Sequence, residues 1–277
     1  MRSTNFALLV AALLYAAVAS GQQSASYERV LLPVVITGQV PGAFGSQWTT
    51  RISVLNNAGQ NAVDIQGYAS YPHGCANLCG HAFTRPGVTF YPSILVAGAV
   101  TQGAILLIDR LYSDNVEVHL RVQDVSRQSQ TWGTEVPVVR EKGLYQGSLN
   151  LLDIPIGAAF RQSLRVYDVD AKPGASVRVR FYRVNPANDT TTDDFNPPPL
   201  DVLLTERTVQ LTTERRAETP TYDLGYAEIS NVGTLPELQN VERIRIEVTS
   251  LTTGLRFWGF VSVTNNDTQH VTVISPH

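Results

Sequence analysis

The sequence predicts an all-β protein, two tandem antiparallel β-sandwich domains behind a cleaved leader. Three observations predict it. Apolar residues recur at every second position over several stretches, clusters of turn residues separate those stretches, and two segments of the first half return in the second. Composition agrees, because Val, Thr, Ile, Tyr and Phe abound while Lys is nearly absent, a bias that suits pleated, half-buried strands.

The leader comes first. Arg2 supplies a positive start, Phe6 to Ala19 is an almost uninterrupted apolar run, and Ala17-Val18-Ala19 offers the small residues of a cleavage site. The run is shorter than the roughly 20 residues a helix needs to span a bilayer, and no cysteine follows it for lipid attachment. The reading is therefore a signal peptide over residues 1–19, a flexible polar spacer over 20–27, and export to periplasm, cell surface or medium. The mature chain of 258 residues carries 20 basic and 24 acidic side chains, a formal charge of −4. Such a surface gives no electrostatic reason to expect nucleic acid or an anionic membrane as partner. No second apolar stretch is long enough to be a transmembrane segment.

Strands follow in order. Arg51–Val54, Val63–Gln66, Val116–Val122, Ser176–Phe181, Ile244–Thr249 and Phe260–Val263 alternate apolar and polar residues, so each buries one face and wets the other. Asn56-Asn57-Ala58-Gly59, Lys172-Pro173-Gly174 and Asn265-Asn266-Asp267 are the turns between them. Leu235 to Val241 is the one stretch with a helical look, and it is short enough for a single turn. Gly45-Ser46-Gln47-Trp48 with Arg51 to Asn56 matches Gly157-Ala158-Ala159-Phe160 with Ser163 to Asp168, and Val122 to Thr131 matches Val261 to His270. This duplication predicts one domain over 28–140 and a second over 141–277, joined near Arg140 to Gly147. Val136 to Val139 reads either as a final strand of the first domain or as a strand shared at the joint.

Trp132 to Glu141, Leu164 to Asp168 and the ending Ser262 to His270 resemble segments of exported bacterial proteins of uncharacterised function. Those proteins resemble tandem immunoglobulin-like β-sandwich repeats. The resemblance covers most of the mature chain and implies the fold, and it carries no catalytic residue across.

One local cluster has the residue types for chemistry. His73, Cys75, Cys79 and His81 fall within nine residues and include both cysteines. Imidazoles and thiolates so spaced offer four ligands for Zn²⁺ or a copper ion. In an exported chain two cysteines are more often oxidised, so a local Cys75–Cys79 disulfide is preferred over a metal site or free thiols. Asp189 to Asn196, and Asp168 with Asp170, offer oxygens to Ca²⁺ but lack the spacing of a defined calcium loop. No nucleophile elbow, phosphate loop or recognisable Ser-His-carboxylate motif is present. His119 sits on the polar face of a strand and His270 beside a turn, and surface roles are expected for both. Asn188 and Asn266 head glycosylation sequons, a pattern frequent by chance. Trp48, Phe160, Trp132 and Trp258 read as core or strand-end residues, and Tyr68, Tyr71, Tyr91, Tyr145 and Tyr222 as exposed rings. The expectation is a non-catalytic secreted or cell-envelope binding or structural module contacting protein or polysaccharide. The alternatives are an exported metal-binding protein using the His/Cys loop, and a hydrolase whose residues meet only in the fold.

Overall fold

The computed structural model describes residues 26–36, 38–69, 80–87, 89–90, 100–101, 103–127, 132–185, 200–212 and 224–276. Strands in the first half are β1 (Tyr27–Leu32), β2 (Val35–Ile36), β3 (Val40–Pro41), β4 (Gln47–Asn56), β5 (Val63–Ala69) and β6 (Gly80–Thr84). They continue as β7 (Thr89–Phe90), β8 (Val100–Thr101), β9 (Ala104–Asp109), β10 (Val116–Asp124), β11 (Thr134–Val136) and β12 (Val139–Arg140). In the second half they are β13 (Ser148–Pro155), β14 (Phe160–Asp168), β15 (Ser176–Arg183) and β16 (Val202–Gln210). The last four are β17 (Gly225–Ser230), β18 (Arg243–Ser250), β19 (Phe257–Asn265) and β20 (Val271–Ile274). Among the described residues there is no α-helix and no helix long and apolar enough to cross a membrane. The fold is all-β, and every strand pair is antiparallel.

Four larger sheets result. Sheet I has the order β12-β1-β9-β5-β6, and sheet II has β11-β10-β4 with β3 and β7 both on the far side of β4. Sheet III is β13-β18-β15-β16 and sheet IV is β17-β14-β19-β20. The first two sheets face each other across Val30, Leu32, Ile65, Leu106 and Ile108 on one side and Ile52, Val54, Val116 and Leu120 on the other. Sheets III and IV do the same across Leu151, Val179, Phe181, Ile246 and Val248 against Leu164, Val166, Val261 and Val263. The change from one pair of sheets to the other falls between Arg140 and Ser148. The strand run begins at Tyr27, one residue inside the predicted spacer.

The two pairs share a strand order. With β2, β3, β8 and β12 set aside, the first, sixth, third and fourth strands of each half form one sheet, and the fifth, second, seventh and eighth form the other. Of the segments matched in the sequence, Gln47 to Asn56 and Val122 to Asp124 lie on β4 and β10, and Phe160 to Asp168 and Val261 to Asn265 on β14 and β19, neighbours at the middle of sheets II and IV; residues 128–131 of the matched stretch lie outside the described residues. Their registers differ by two. Val122 faces Thr50, whereas Val261 faces Leu164, not Gln162, and an even slip leaves every side chain on its own face. An immunoglobulin sandwich places its first two strands side by side in one sheet. Here β1 and β4, like β13 and β14, lie in facing sheets. The expected all-β class is present, as four antiparallel sheets, and the order of neighbouring strands differs from that arrangement. Alternation records that a strand buries one face; it does not record which strand lies alongside.

The stretch from Val136 to Val139 is divided. Val136 ends β11 in sheet II, Pro137 breaks the ladder, and Val139 opens β12, where Leu31 pairs with Val139 and Val30 with Arg140. It closes the first pair of sheets on both layers. Leu235 to Val241 contains a 3₁₀ turn over Pro236–Leu238, with another at Val232–Thr234 just before it.

A third apolar cluster joins the halves. Leu31, Ile105, Leu107 and Val139, on the outer face of sheet I, meet Tyr167, Val169, Tyr226, Trp258 and Phe260 on the outer face of sheet IV. Strands β1 and β9 are thus buried on both faces, which is why Ala104-Ile105-Leu106-Leu107-Ile108 is apolar at every position. The Tyr167 and Phe260 rings stack at 6.4 Å, and Trp258 lies 5.5 Å from Phe260. The Tyr167 hydroxyl, buried in the second half, donates to the Pro33 carbonyl of the first.

Candidate functional site

Ions frame the joint. The Arg29 guanidinium, 6% exposed, donates to Asp170 Oδ1 at 2.7 Å, to the Val169 carbonyl at 2.8 Å and to Glu141 Oε1 at 3.2 Å. Arg256 also holds Asp170, at 2.7 Å, and Arg110 holds Glu141, at 3.0 Å. Burial alone would raise both carboxyls, but the hydrogen bonds from the arginines win and keep each below its ordinary value. Asp168 is pushed up by burial against the pull of the Lys172 and Asp170 backbone N–H groups that it accepts. The two aspartates singled out for Ca²⁺ are therefore occupied by guanidinium and amide donors.

Beside the joint, Glu228 accepts from Tyr226, Ser163 and Ser230 and lies 3.4 Å from Arg165. Burial would raise Glu228, yet Arg165 and the hydroxyl donors hold it low, while burial drives Tyr226 upward. Both move away from neutrality, the reverse of what an acid or base poised near neutral pH requires.

Of the predicted metal ligands, His73, Cys75 and Cys79 lie outside the described residues, as does Asp189 to Asn196. His81 stands on β6 opposite Gln66 of β5. No group of three His, Cys, Asp or Glu side chains that could hold an ion occurs among the described residues. His119 is exposed and pairs with Glu135 at 2.8 Å; His270 is exposed too. Trp258 is buried in the joint, whereas Trp132 is 62% exposed, with the Arg51 guanidinium 5.7 Å from its ring centre. Tyr145 is half-buried. It exchanges backbone hydrogen bonds with Phe257 at 2.8 and 3.0 Å. Tyr71, Tyr91, Tyr222 and Asn188 lie outside the described residues, and Tyr68 is placed by its backbone on β5.

A cleft of about 650 Å³ opens in the second half. Three chain segments build it: the turn before β14 (Ile156, Gly157, Ala158), the connection from β17 to β18 (Asn231 to Glu242), and Asn266 after β19. Gln162 forms the floor. Only 1% exposed, it donates to the Pro155 carbonyl at 2.7 Å and accepts the Gly233 N–H at 3.0 Å. A Cβ at Gly233 would come within 2.8 Å of the Gln162 Oε1, so only glycine allows this approach. Arg161 forms a wall, donating to Asn266 Oδ1 at 2.6 Å and to Gln269 Oε1 at 2.9 Å. Both acceptors are neutral amides. From the first half, the Phe44 ring lies 5.3 Å from the Arg161 guanidinium.

Asn231 and Asn240 adopt left-handed backbone, φ 52° and 64°, and with Glu242 they line the cleft. Phe160 also lines a second concavity of about 490 Å³, with Val263, Asn265, Thr268, His270 and Thr272. The larger cleft thus presents amides, a guanidinium, a hydroxyl and one carboxylate. It holds neither histidine nor a second carboxylate, so no acid–base pair assembles among its lining residues. Sequence reasoning missed this cleft. Its only local trace is turn chemistry at Asn231 and Asn240, residues that tolerate the left-handed region.

Comparison with known proteins adds no neighbour: no family model, curated protein or solved structure matches the chain.

Proposed function

We propose that the chain is a non-catalytic, exported binding or structural module, two duplicated sandwiches that contact an extracellular or cell-envelope protein or polysaccharide. The observation that carries this reading is the amide-lined cleft of about 650 Å³. Its groups recognise hydroxyls and amides and lack the paired acid and base that hydrolysis needs. Two further features support it. The leader has the form of an export signal, and the common strand order of the two halves is what a duplicated unit would give. The test is retention of immobilised glycans and envelope fractions by the mature protein, with the retained material analysed afterwards. Saturable retention of chemically unchanged ligand is expected. Turnover of any of these ligands would overturn the reading.

A further inference from the structure

Six non-glycine residues among those described have positive φ: Phe44, Asp153, Ala171, Asn231, Asn240 and Gln269. Two of them line the cleft, and two more touch its Arg161. Asn231 and Asn240 line the cleft, Gln269 holds its Arg161, and Phe44 covers the guanidinium of Arg161. Asparagine visits the left-handed region readily, but a bulky aromatic does not. Phe44 is held there, at φ 55° and ψ 35°, by a tight turn. The Gly42 N–H donates to the Ser46 carbonyl at 2.9 Å, the Ser46 hydroxyl to the Ala43 carbonyl at 2.7 Å, and Arg127 to the Phe44 carbonyl at 3.0 Å. A Cβ at Gly42 would meet the Trp48 ring at 2.4 Å, so the turn is committed to this shape. Yet the ring it presents is 67% exposed and buries nothing in a core. Strain kept at an exposed ring points to use outside folding.

We propose that Phe44 and the Arg161 cleft form one subsite for a neutral oligosaccharide. The apolar face of a pyranose lies against the Phe44 ring, and its hydroxyls meet Asn231, Asn240 and Glu242. This rests on reading the chain as a binding module and narrows that reading to one ligand class. Amide, carboxylate and guanidinium groups together both donate to and accept from hydroxyls. Among the described lining residues Arg161 and Glu242 carry the charge, one of each sign, so the lining has no formal net charge to favour an anion or a cation. Asn231, Asn240 and Glu242 are all exposed and line the cleft, where their side chains can reach a ligand.

The test titrates the full protein with neutral hexasaccharides of glucose, mannose, xylose and N-acetylglucosamine by calorimetry. It compares the wild type with Phe44→Gly and Asn240→Gly. Glycine accepts both backbone conformations, so each variant removes a side chain without forcing the turn to move. At least one hexasaccharide should bind, each variant should weaken it about tenfold, the scale of a well-placed contact residue, and Tm should stay level or rise. Undiminished binding by both variants would overturn the site while leaving the module reading intact. Failure of every hexasaccharide to bind at millimolar concentration, with envelope protein still captured, would overturn the ligand class alone. Should Phe44→Gly not fold, Asn240→Gly carries the same comparison.

Discussion

The interiors of the two sandwiches and the joint between them are filled by different chemistry. Each interior is almost wholly aliphatic: Val30, Leu106 and Ile108 in the first half, Leu151, Val179 and Ile246 in the second. The joint holds Tyr167, Tyr226, Trp258 and Phe260, rimmed by the Arg29, Asp170 and Glu141 ions. Aliphatic side chains pack in many ways, and their contribution follows the area they bury. Aromatic rings with polar handles and bidentate cations need one geometry to be satisfied. The interiors supply stability, and the joint supplies orientation.

The largest effect that tests this contrast is expected from Phe181→Ala, a fully buried ring of the second interior. It should cost about 3–5 kcal/mol in urea denaturation, the range for truncating a core aromatic. A loss below about 1 kcal/mol would mean that this interior is not closely packed. Next comes Arg29→Met, which removes the donor shared by Asp170, Glu141 and the Val169 carbonyl. It should cost about 3 kcal/mol, the low end for breaking a buried pair, because each carboxylate keeps a second arginine. It should also split one unfolding transition into two. A single unchanged transition would show that the ions do not fix the halves together.

Acid should weaken the joint more gently. Glu141 and Asp170 titrate below their ordinary values of 4.5 and 3.8, so their contribution is complete above the unfolded carboxylate range. It is lost as pH falls through the lowered folded values. Asp168, titrating above 3.8, works in the opposite direction and offsets part of that loss. Differential scanning calorimetry between neutral pH and pH 3 should show the coupling of the halves fading before either sandwich melts. Coupling that strengthens on acidification would reverse the assignment. The smallest effect is expected from Tyr167→Phe. Losing the hydroxyl that meets the buried Pro33 carbonyl should cost about 1 kcal/mol, and equal stability would remove that bond from the account.

Much of the fold was legible. The alternation of Val116 to Val122 and of Ser176 to Phe181 locates β10 and β15, because a strand with one wet face must alternate. Where a strand is covered on both faces the signal changes. Ala104 to Ile108 has no polar position, and only its length and its lack of turn residues identify it as a doubly buried strand. The spacing that Trp48 shares with Phe160, and Val122 to Thr131 with Val261 to His270, was visible in the sequence. The two-residue register difference between the halves was not, since an even slip preserves the pattern. The cleft was hidden for another reason. Gln162, Gly233 and Asn266 are far apart along the chain, and nothing local distinguishes a glutamine on a cleft floor from one in solvent.

The order of residues alone determined the strand content, the turns, the repeated spacing and the acidic, lysine-poor surface, because each follows from local propensity and period. Only the tertiary structure decided which strands lie side by side, that sheet I buries its second face on sheet IV, and that Phe44 meets Arg161. Those outcomes depend on contacts between residues from a few tens to more than 100 positions apart, which a pattern of period two has no means to encode.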